Sequence, residues 1–163
     1  MLAPPRAPSA DRLRLGRLLA LAVPVALLGG ALLSEYVGKL YPCEMCWWQR
    51  YPHGVAILLA IAACLSPLTA PRTRTLTLLA ALTIAVSGAI GVFHAGVEYG
   101  WWEGLTTCTT SGATSLEDIM AVPLVRCDQV QWSLGGISLA GFNAIISLGG
   151  ALLIVLLARR KNA

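Results

Sequence analysis

Four cysteines in two groups are the residues of this sequence best suited to chemistry. Cys43 and Cys46 form a Cys-x-x-Cys pair, while Cys108 and Cys127 follow with eighteen residues between them. The close pair is typical of a redox-active dithiol, a zinc site or a structural disulfide. A zinc site usually takes its other ligands from a second closely spaced pair, which the wider spacing does not supply. We therefore favour a redox-active dithiol that holds no metal, with zinc and inert disulfides as the alternatives.

Basic and imidazole side chains follow the close pair along one predicted helix. If a helix begins at Cys46, its unsatisfied N–H groups and positive dipole end stabilise a thiolate there. Arg50 adds a cation one turn further along the same face, and His53 continues this stripe. A charge inside an apolar span marks a candidate functional site, although Arg50 could also reach lipid headgroups. For His53 and His94 a hydrogen bond within the helix bundle is one interpretation; a hydrogen bond to a bound cofactor is the other, better supported for His94.

Long apolar runs are the elements that must position these residues. Of 163 residues, 56% are hydrophobic and only 12% are charged, whereas a soluble domain carries about 25% charged residues. This composition argues against a soluble enzyme, a disordered tail or a nucleic-acid-binding protein. A membrane-spanning helix needs about 20 apolar residues. Runs near that length cover residues 18–37, 47–65, 76–97 and 136–157. We therefore predict an all-α membrane protein, a single domain over residues 1–163 built as a four-transmembrane-helix bundle.

The distribution of basic residues predicts the orientation of this bundle. Nine of the twelve Lys and Arg residues lie before the first run, between the second and third, or after the fourth. The positive-inside rule then places the tails 1–17 and 158–163 in the cytoplasm and the loops 38–46 and 98–135 in the periplasm. The tryptophans at the outer ends of the runs, typical of an interfacial belt, are Trp47, Trp48, Trp101, Trp102 and Trp132. We expect an inner-membrane protein whose first helix is not cleaved.

The predicted outer loops contain four of the five cysteines. Thiols in an oxidising compartment usually pair, so this even number indicates two disulfides. The fifth cysteine, Cys64, is expected to be a small buried apolar residue. In the loop 98–135, a capping-box pattern and apolar residues at helical spacing predict a short amphipathic helix that ends at Pro123. The Thr-rich flanks of Cys108 predict an accessible disulfide, suited to exchange with a soluble partner.

A dithiol at a membrane surface needs an electron acceptor, because disulfide formation releases two electrons. The sequence shows no flavin or nicotinamide motif. A quinone takes up two electrons and is dissolved in the bilayer, so it could dock beside Cys46. Arg50 would stabilise the negative charge that develops on its ring oxygen.

Several motifs of this chain resemble the DsbB family of disulfide-bond formation proteins, over nearly the whole chain after the N-terminal tail. They are Pro42-Cys43-Glu-Met-Cys46, Trp47-Trp48-Gln49-Arg50, His94-Ala-Gly-Val-Glu98 through Trp101-Trp102 to Cys108, Cys127-Asp128, Trp132, Ser138-Leu-Ala and Asn143. The resemblance implies a four-helix bundle that reoxidises a periplasmic thioredoxin-fold oxidase of the DsbA type. It also implies ubiquinone or menaquinone as the electron acceptor.

The resemblance further implies a role for each cysteine. Cys108 would be attacked by the thiolate of the reduced partner, and its mate Cys127 would then exchange with Cys43. Cys46 would interact directly with the quinone, beside Arg50 as the quinone-site arginine. One alternative is a non-catalytic membrane scaffold or assembly factor held by disulfides. A relative of vitamin K epoxide reductase is less favoured, since the Cys-x-x-Cys of those proteins lies late in the chain.

Overall fold

The computed structural model describes residues 8–105 and 125–159, so Cys108 and the amphipathic helix expected before Pro123 lie outside the described residues. Most of the described chain is helical, in agreement with the predicted class. Its four helices are α1 (Pro8–Tyr36), α2 (Glu44–Leu65), α3 (Pro71–Glu98) and α4 (Leu139–Ala158).

Local capping explains where α2 and α3 begin. The sulfur of Cys43 accepts a hydrogen bond of 3.2 Å from the backbone N–H of Cys46 and so caps α2. The helix therefore starts at Glu44, before the expected position 47. Pro71 opens α3, where its fixed φ suits the first helical turn and its missing N–H costs nothing.

The first helix begins well before its apolar part. α1 starts at Pro8, whereas the sequence predicted a tail to residue 17 and a helix from 18. The segment 10–17 contains Ala, Leu and Arg, which all favour helix, so the helix continues through residues too polar for the apolar run. Pro24 lies within α1 and is fully buried.

A two-stranded hairpin precedes α4 and shifts its start. β1 (Ser133–Leu134) pairs antiparallel with β2 (Ile137–Ser138). The two glycines between the strands have φ of 59° and 81°, a backbone region that favours glycine and suits a two-residue hairpin turn. α4 therefore begins at Leu139 and not at the expected 136. The Tyr99 hydroxyl, just after α3, accepts a hydrogen bond of 2.8 Å from the Ser138 N–H, which ties the hairpin to α3.

Three helices in the described part of the chain are long and apolar enough to cross a membrane: Ala10–Tyr36 within α1, together with α3 and α4. The outer helix surfaces carry many large apolar side chains; Leu58 and Leu65, for example, are 70% and 81% exposed. Such faces are suited to lipid, so the chain is a helical membrane protein. The predicted span 47–65 corresponds to α2, whose first half contains polar residues and which is not among these three helices.

Small residues fill the interior and bring the helices close together. Six alanines and two isoleucines form the central cluster: Ala20, Ala56, Ala60, Ala80, Ala81, Ile84, Ala151 and Ile154. Small residues allow the close backbone approach that membrane helices use for association. At Gly91 of α3, an added Cβ would lie 3.0 Å from the carbonyl oxygen of Ala140 in α4. This close crossing lies beside the polar site described next.

Candidate functional site

The two cysteines of the Cys-x-x-Cys pair meet at the start of α2. Their Sγ atoms are 2.8 Å apart, against about 2.05 Å in a disulfide, so a small side-chain movement would join them. Cys43 is 1% exposed, and Cys46 is partly exposed. The sequence placed the start of the helix at Cys46; in the structure Cys43 is the cap. Both sulfurs therefore lie at the positive end of α2.

Cys127 contacts this pair although it lies 84 positions away from Cys43 in the sequence. It packs with Met45, Val97 and Val125 in an apolar cluster that also contains Cys43. Hydrogen bonds with Cys127 and with Cys46, followed by burial, raise the pKa of the Cys43 thiol. The structure thus brings together two cysteines for which the family resemblance implies exchange. The predicted fourth member, Cys108, lies outside the described residues.

His94 extends this group from α3. Its Nε2 lies 3.5 Å from the Cys43 sulfur and 3.9 Å from a carboxylate oxygen of Glu98. The side-chain amide of Gln49 donates to His94 Nδ1 at 2.8 Å, so the ring proton lies on Nε2 and faces the sulfur. An N–H in this position would stabilise a thiolate on Cys43. His94 therefore adjoins the dithiol directly.

A buried network of polar side chains supports His94 from behind. The amide of Asn143 on α4 donates to Gln49 Oε1 at 2.7 Å. The Asn143 oxygen accepts from His53 Nε2 at 2.9 Å, and Ser87 Oγ lies 2.9 Å from the same imidazole nitrogen. These contacts join α2, α3 and α4 and give His53 the intra-bundle hydrogen bonds that the sequence left as one interpretation. Within the described ranges, Nδ1 of His53 has no hydrogen-bond partner.

Arg50 has an acidic partner on a different helix. Its guanidinium forms an ion pair with Glu35 of α1 and donates to the Ala31 carbonyl at 3.1 Å. It also lies over the ring of Trp47, 4.9 Å from the ring centroid. The side chains of Arg50 and Glu35 are only 9% and 16% exposed. The buried charge of Arg50 is thus compensated within the protein.

A cavity of about 250 Å³ joins these groups. Aliphatic side chains of α1, together with Leu139 and Phe142 of α4, form its apolar walls. The polar and reactive residues on its surface are Ser34, Tyr41, Cys43, Cys46, Gln49, Arg50, His53, His94, Glu98, Arg126, Gln129, Gln131 and Asn143. Its volume is near the lower limit of about 300 Å³ for small-molecule sites. Mostly apolar walls with a few convergent polar groups are typical of a small-molecule or cofactor site.

Three donor atoms in this site could hold a metal ion. The Sγ atoms of Cys43 and Cys46 and a ring nitrogen of His94 all lie within 4.8 Å of one another. The sequence interpretation disfavoured a metal because no second closely spaced pair was present. The third donor comes from another helix, 48 positions beyond Cys46, which pair spacing alone does not reveal.

Three further residues at the site were missed as site residues in the sequence analysis. Glu35 was the acid nearest the end of the first apolar run, and a charge in that position was a signal for a functional partner. The polar residues Gln49 and Asn143 interrupt apolar runs in the same way, but their contact with each other depends on packing. Cys64 lies away from the site, with its sulfur 3.9 Å from the Arg17 carbonyl.

Comparison with known proteins gives the family. The family model described as disulfide bond formation protein DsbB matches residues 13–157. A disulfide bond formation protein B from Verminephrobacter eiseniae is 32% identical over 146 residues, which cover 83% of this chain and 80% of that protein. An uncharacterised protein from Rickettsia prowazekii is 25% identical, over 85% of this chain and 83% of its own length. A disulfide bond formation protein B from Shewanella sp. strain MR-4 is 43% identical over 68 residues, covering 42% of this chain and 37% of that protein.

No solved structure matches the chain significantly. The family match covers all four helices apart from the first turns of α1 and the last residue of α4. It also includes both cysteine groups, Arg50 and His94. The chain belongs to the DsbB family of disulfide-bond formation proteins.

Proposed function

We propose that this protein is a protein-dithiol:quinone oxidoreductase, which reoxidises a periplasmic DsbA-like thiol oxidase and passes the electrons to a membrane quinone. Membership of a family of disulfide-bond formation proteins supports the disulfide chemistry. One observation carries the rest: Cys43 and Cys46 lie 2.8 Å apart on the surface of an apolar cavity that Arg50 also lines. This arrangement joins a dithiol to a binding site accessible to a lipid-soluble acceptor.

Thiol exchange would bring the electrons to the close pair. The reduced partner would open a Cys108–Cys127 disulfide, and the Cys127 thiolate would then attack Cys43 in a Cys43–Cys46 disulfide. Each exchange breaks one S–S bond and forms another. The partner's second thiolate would close the partner's disulfide and release Cys108, which would then attack Cys127 in the Cys127–Cys43 mixed disulfide. This step would restore the Cys108–Cys127 disulfide and leave Cys43 and Cys46 both reduced, a net transfer of two electrons. The hydrogen bond between the sulfurs of Cys127 and Cys43 supports the second exchange. Cys46 would leave as a thiolate at the helix N-terminus, where the dipole favours it.

The cavity residues fit a quinone ring. Ubiquinone or menaquinone, when bound, would accept the two electrons released as Cys43 and Cys46 form their disulfide. Arg50 would hold a ring oxygen, since its five N–H donors exceed the two acceptors that it contacts on Glu35 and Ala31. Glu35 would keep the guanidinium in position. His94 would hold its Nε2–H beside Cys43 and stabilise negative charge on sulfur.

The membrane arrangement forms part of the same proposal. The whole chain, residues 1–163, would form one domain of the inner membrane. α2 would span the membrane together with α1, α3 and α4, and the periplasmic loop would contain a short amphipathic helix. Arg12 donates to the Leu156 carbonyl at 2.7 Å, and Arg17 donates to the Ser66 carbonyl at 3.1 Å. These arginines lie where α2 and α4 end, at the opposite end of the bundle from Cys43 and Cys46. Such an arrangement supports cytoplasmic termini and a periplasmic dithiol.

Purified protein, a reduced DsbA-type partner and a soluble ubiquinone analogue test this function directly. Wild-type protein should reduce the quinone as it oxidises the partner, and Cys43→Ser and Cys46→Ser should each abolish turnover. Quinone reduction that persists in either variant would refute the mechanism. Slow reaction of the cysteines without turnover would instead favour the disulfide-held scaffold.

A second experiment isolates the quinone site. Arg50→Ala should raise the apparent KM for quinone about 10- to 100-fold, because a hydrogen bond to a charged group contributes about 1.5–3 kcal/mol. Arg50→Lys keeps the charge but lacks the planar fork, so it should recover only part of the loss. The matched control is Arg74→Ala, which removes an arginine at the N-terminal end of α3, away from the cavity. An unchanged KM in Arg50→Ala would remove Arg50 from the proposed site.

A further inference from the structure

The close cysteine pair and His94 form a compact set of soft ligands. Cys43 Sγ lies 2.8 Å from Cys46 Sγ and 3.5 Å from His94 Nε2. All three donor atoms lie within 4.8 Å of one another. Cys43 and His94 are 1% and 2% exposed, while the cavity beside them gives a small ion a path to the site.

These distances can be compared with those of a tetrahedral zinc site. With Zn–S bonds of about 2.3 Å and a Zn–N bond of about 2.05 Å, two ligand sulfurs lie about 3.8 Å apart, and a sulfur and a nitrogen about 3.6 Å apart. The distance of 3.5 Å between Cys43 and His94 already agrees. The two sulfurs would have to separate by about 1 Å, which a rotation of the Cys46 side chain allows. A fourth position would remain for water or another donor.

Charge and outer contacts also suit such an ion. Two thiolates and one divalent cation give a neutral group, which avoids a net charge in a buried position. Binding through Nε2 moves the His94 ring proton to Nδ1. A half-turn of the Gln49 amide would then offer its oxygen to that N–H, the kind of outer contact that metal-binding histidines usually have. This turn would replace the present hydrogen bonds of Gln49 with the Met45 carbonyl and with Asn143. Thiolate ligands select soft cations over Mg²⁺ or Ca²⁺.

We propose that Cys43, Cys46 and His94 bind one soft divalent cation, such as Zn²⁺, when the two cysteines are reduced, and that the bound ion keeps the pair from forming its disulfide. Two Zn–S bonds form and the two thiol protons leave to solvent, with no change in oxidation state. Neither sulfur is then available as a nucleophile or as an electron donor. The site would act as an inhibitory metal site of this protein.

Zinc binding to the reduced protein tests the proposal without any turnover assay. Full-length protein in detergent micelles is reduced, freed of reductant under nitrogen, and titrated with Zn²⁺ against a chromophoric zinc indicator. We expect one tightly bound ion per chain and none after Cys43→Ser. Cys108→Ser should retain the ion; its loss there would assign the metal to the other cysteine pair and overturn the proposal. Binding of less than one ion per chain at micromolar zinc would also overturn it.

The histidine ligand has a matched control in His53, which is equally buried but bonded to Asn143 and Ser87. His94→Ala should weaken zinc binding by more than the roughly tenfold loss that follows removal of an outer-shell partner. His53→Ala removes no donor atom of the site but part of the network behind His94, so it should weaken zinc binding by no more than about tenfold. Equal affinities in wild-type protein and His94→Ala would refute the three-ligand site.

A measurement on wild-type protein keeps the test independent of variant folding. Zn²⁺ should protect Cys43 and Cys46 from alkylation, with a chelator restoring the reaction, as mass spectrometry of the labelled peptides can show. Unchanged alkylation of both cysteines in zinc would refute the proposal. If the protein failed to reduce quinone, zinc binding would still be measurable, so failure of the proposed function and failure of the metal site remain distinguishable.

Discussion

Removal of Glu35 should destabilise the protein because it leaves Arg50 buried without its counter-ion. The two side chains, on α1 and α2, are 16% and 9% exposed. Breaking a buried ion pair on one side costs about 3–5 kcal/mol. Arg50 would keep the Ala31 carbonyl and the Trp47 ring, and the cavity can admit water. We therefore expect the lower value for Glu35→Ala, about 3 kcal/mol, a roughly 100-fold change in the unfolding equilibrium.

A double-mutant cycle measures this interaction. Reversible unfolding in mixed detergent micelles, followed by circular dichroism, would give the free energy of unfolding for Glu35→Ala, Arg50→Ala and the double variant. The double variant removes both charges, so its loss should fall short of the summed single losses by at least about 1.5 kcal/mol. Glu103→Ala, which removes an exposed acid, should change stability by less than about 0.5 kcal/mol. Single losses that add to the double loss within about 0.5 kcal/mol would refute the coupling.

Two further predictions concern the helix crossing and the thiols. Gly91→Ala should destabilise the protein by about 1–3 kcal/mol, because its Cβ would lie 3.0 Å from the Ala140 carbonyl. Gly149→Ala, with nothing within 4 Å of its added Cβ, is the control in the same thermal unfolding assay, and equal effects would contradict the close crossing. In reduced protein, Cys127→Ala should lower the pKa of Cys43, because its hydrogen bond is the largest cause of the raised value. The pH at which the alkylation rate of Cys43 reaches half its maximum should then fall. An unchanged midpoint would argue against the contact between Cys127 and Cys43.

The presence of long apolar helices was more predictable than where they end. Apolar runs of about 20 residues identify membrane-type helices because the bilayer sets their length. They do not show where a helix stops outside the apolar region. α1 continues towards its N-terminus through Arg12 and Arg14 because arginine favours helix. α4 starts late because two glycines with positive φ form a turn. These ends depend on capping and backbone conformation, which hydropathy does not record.

Some contacts in the site could be predicted from nearby residues in the sequence, whereas others depend on how distant helices pack. The close spacing of Cys43, Cys46 and Arg50 around the start of one helix was sufficient to place them near one another. The contact of Cys43 with His94 depends on how α3 packs against α2, so it has no local signal. The counter-ion of Arg50 was open to inference, since a single acid at the end of an apolar run calls for a partner. Which cation it would meet depended on the packing of α1.

The helix cap gives the two sulfurs of the Cys-x-x-Cys pair different positions, although both lie on the cavity surface. Cys43 stands before the first helical residue, where its sulfur contacts Cys127 and is almost fully buried. Cys46 lies within the first turn and is the more exposed of the two. In the proposed function this asymmetry separates thiol exchange at Cys43 from electron transfer at Cys46. If both cysteines lay inside the helix, the sulfur cap would be lost. Cys43 would then no longer lie before the helix, where its sulfur contacts Cys127. The cap would therefore serve both to begin α2 and to make one cysteine available to each half of the reaction.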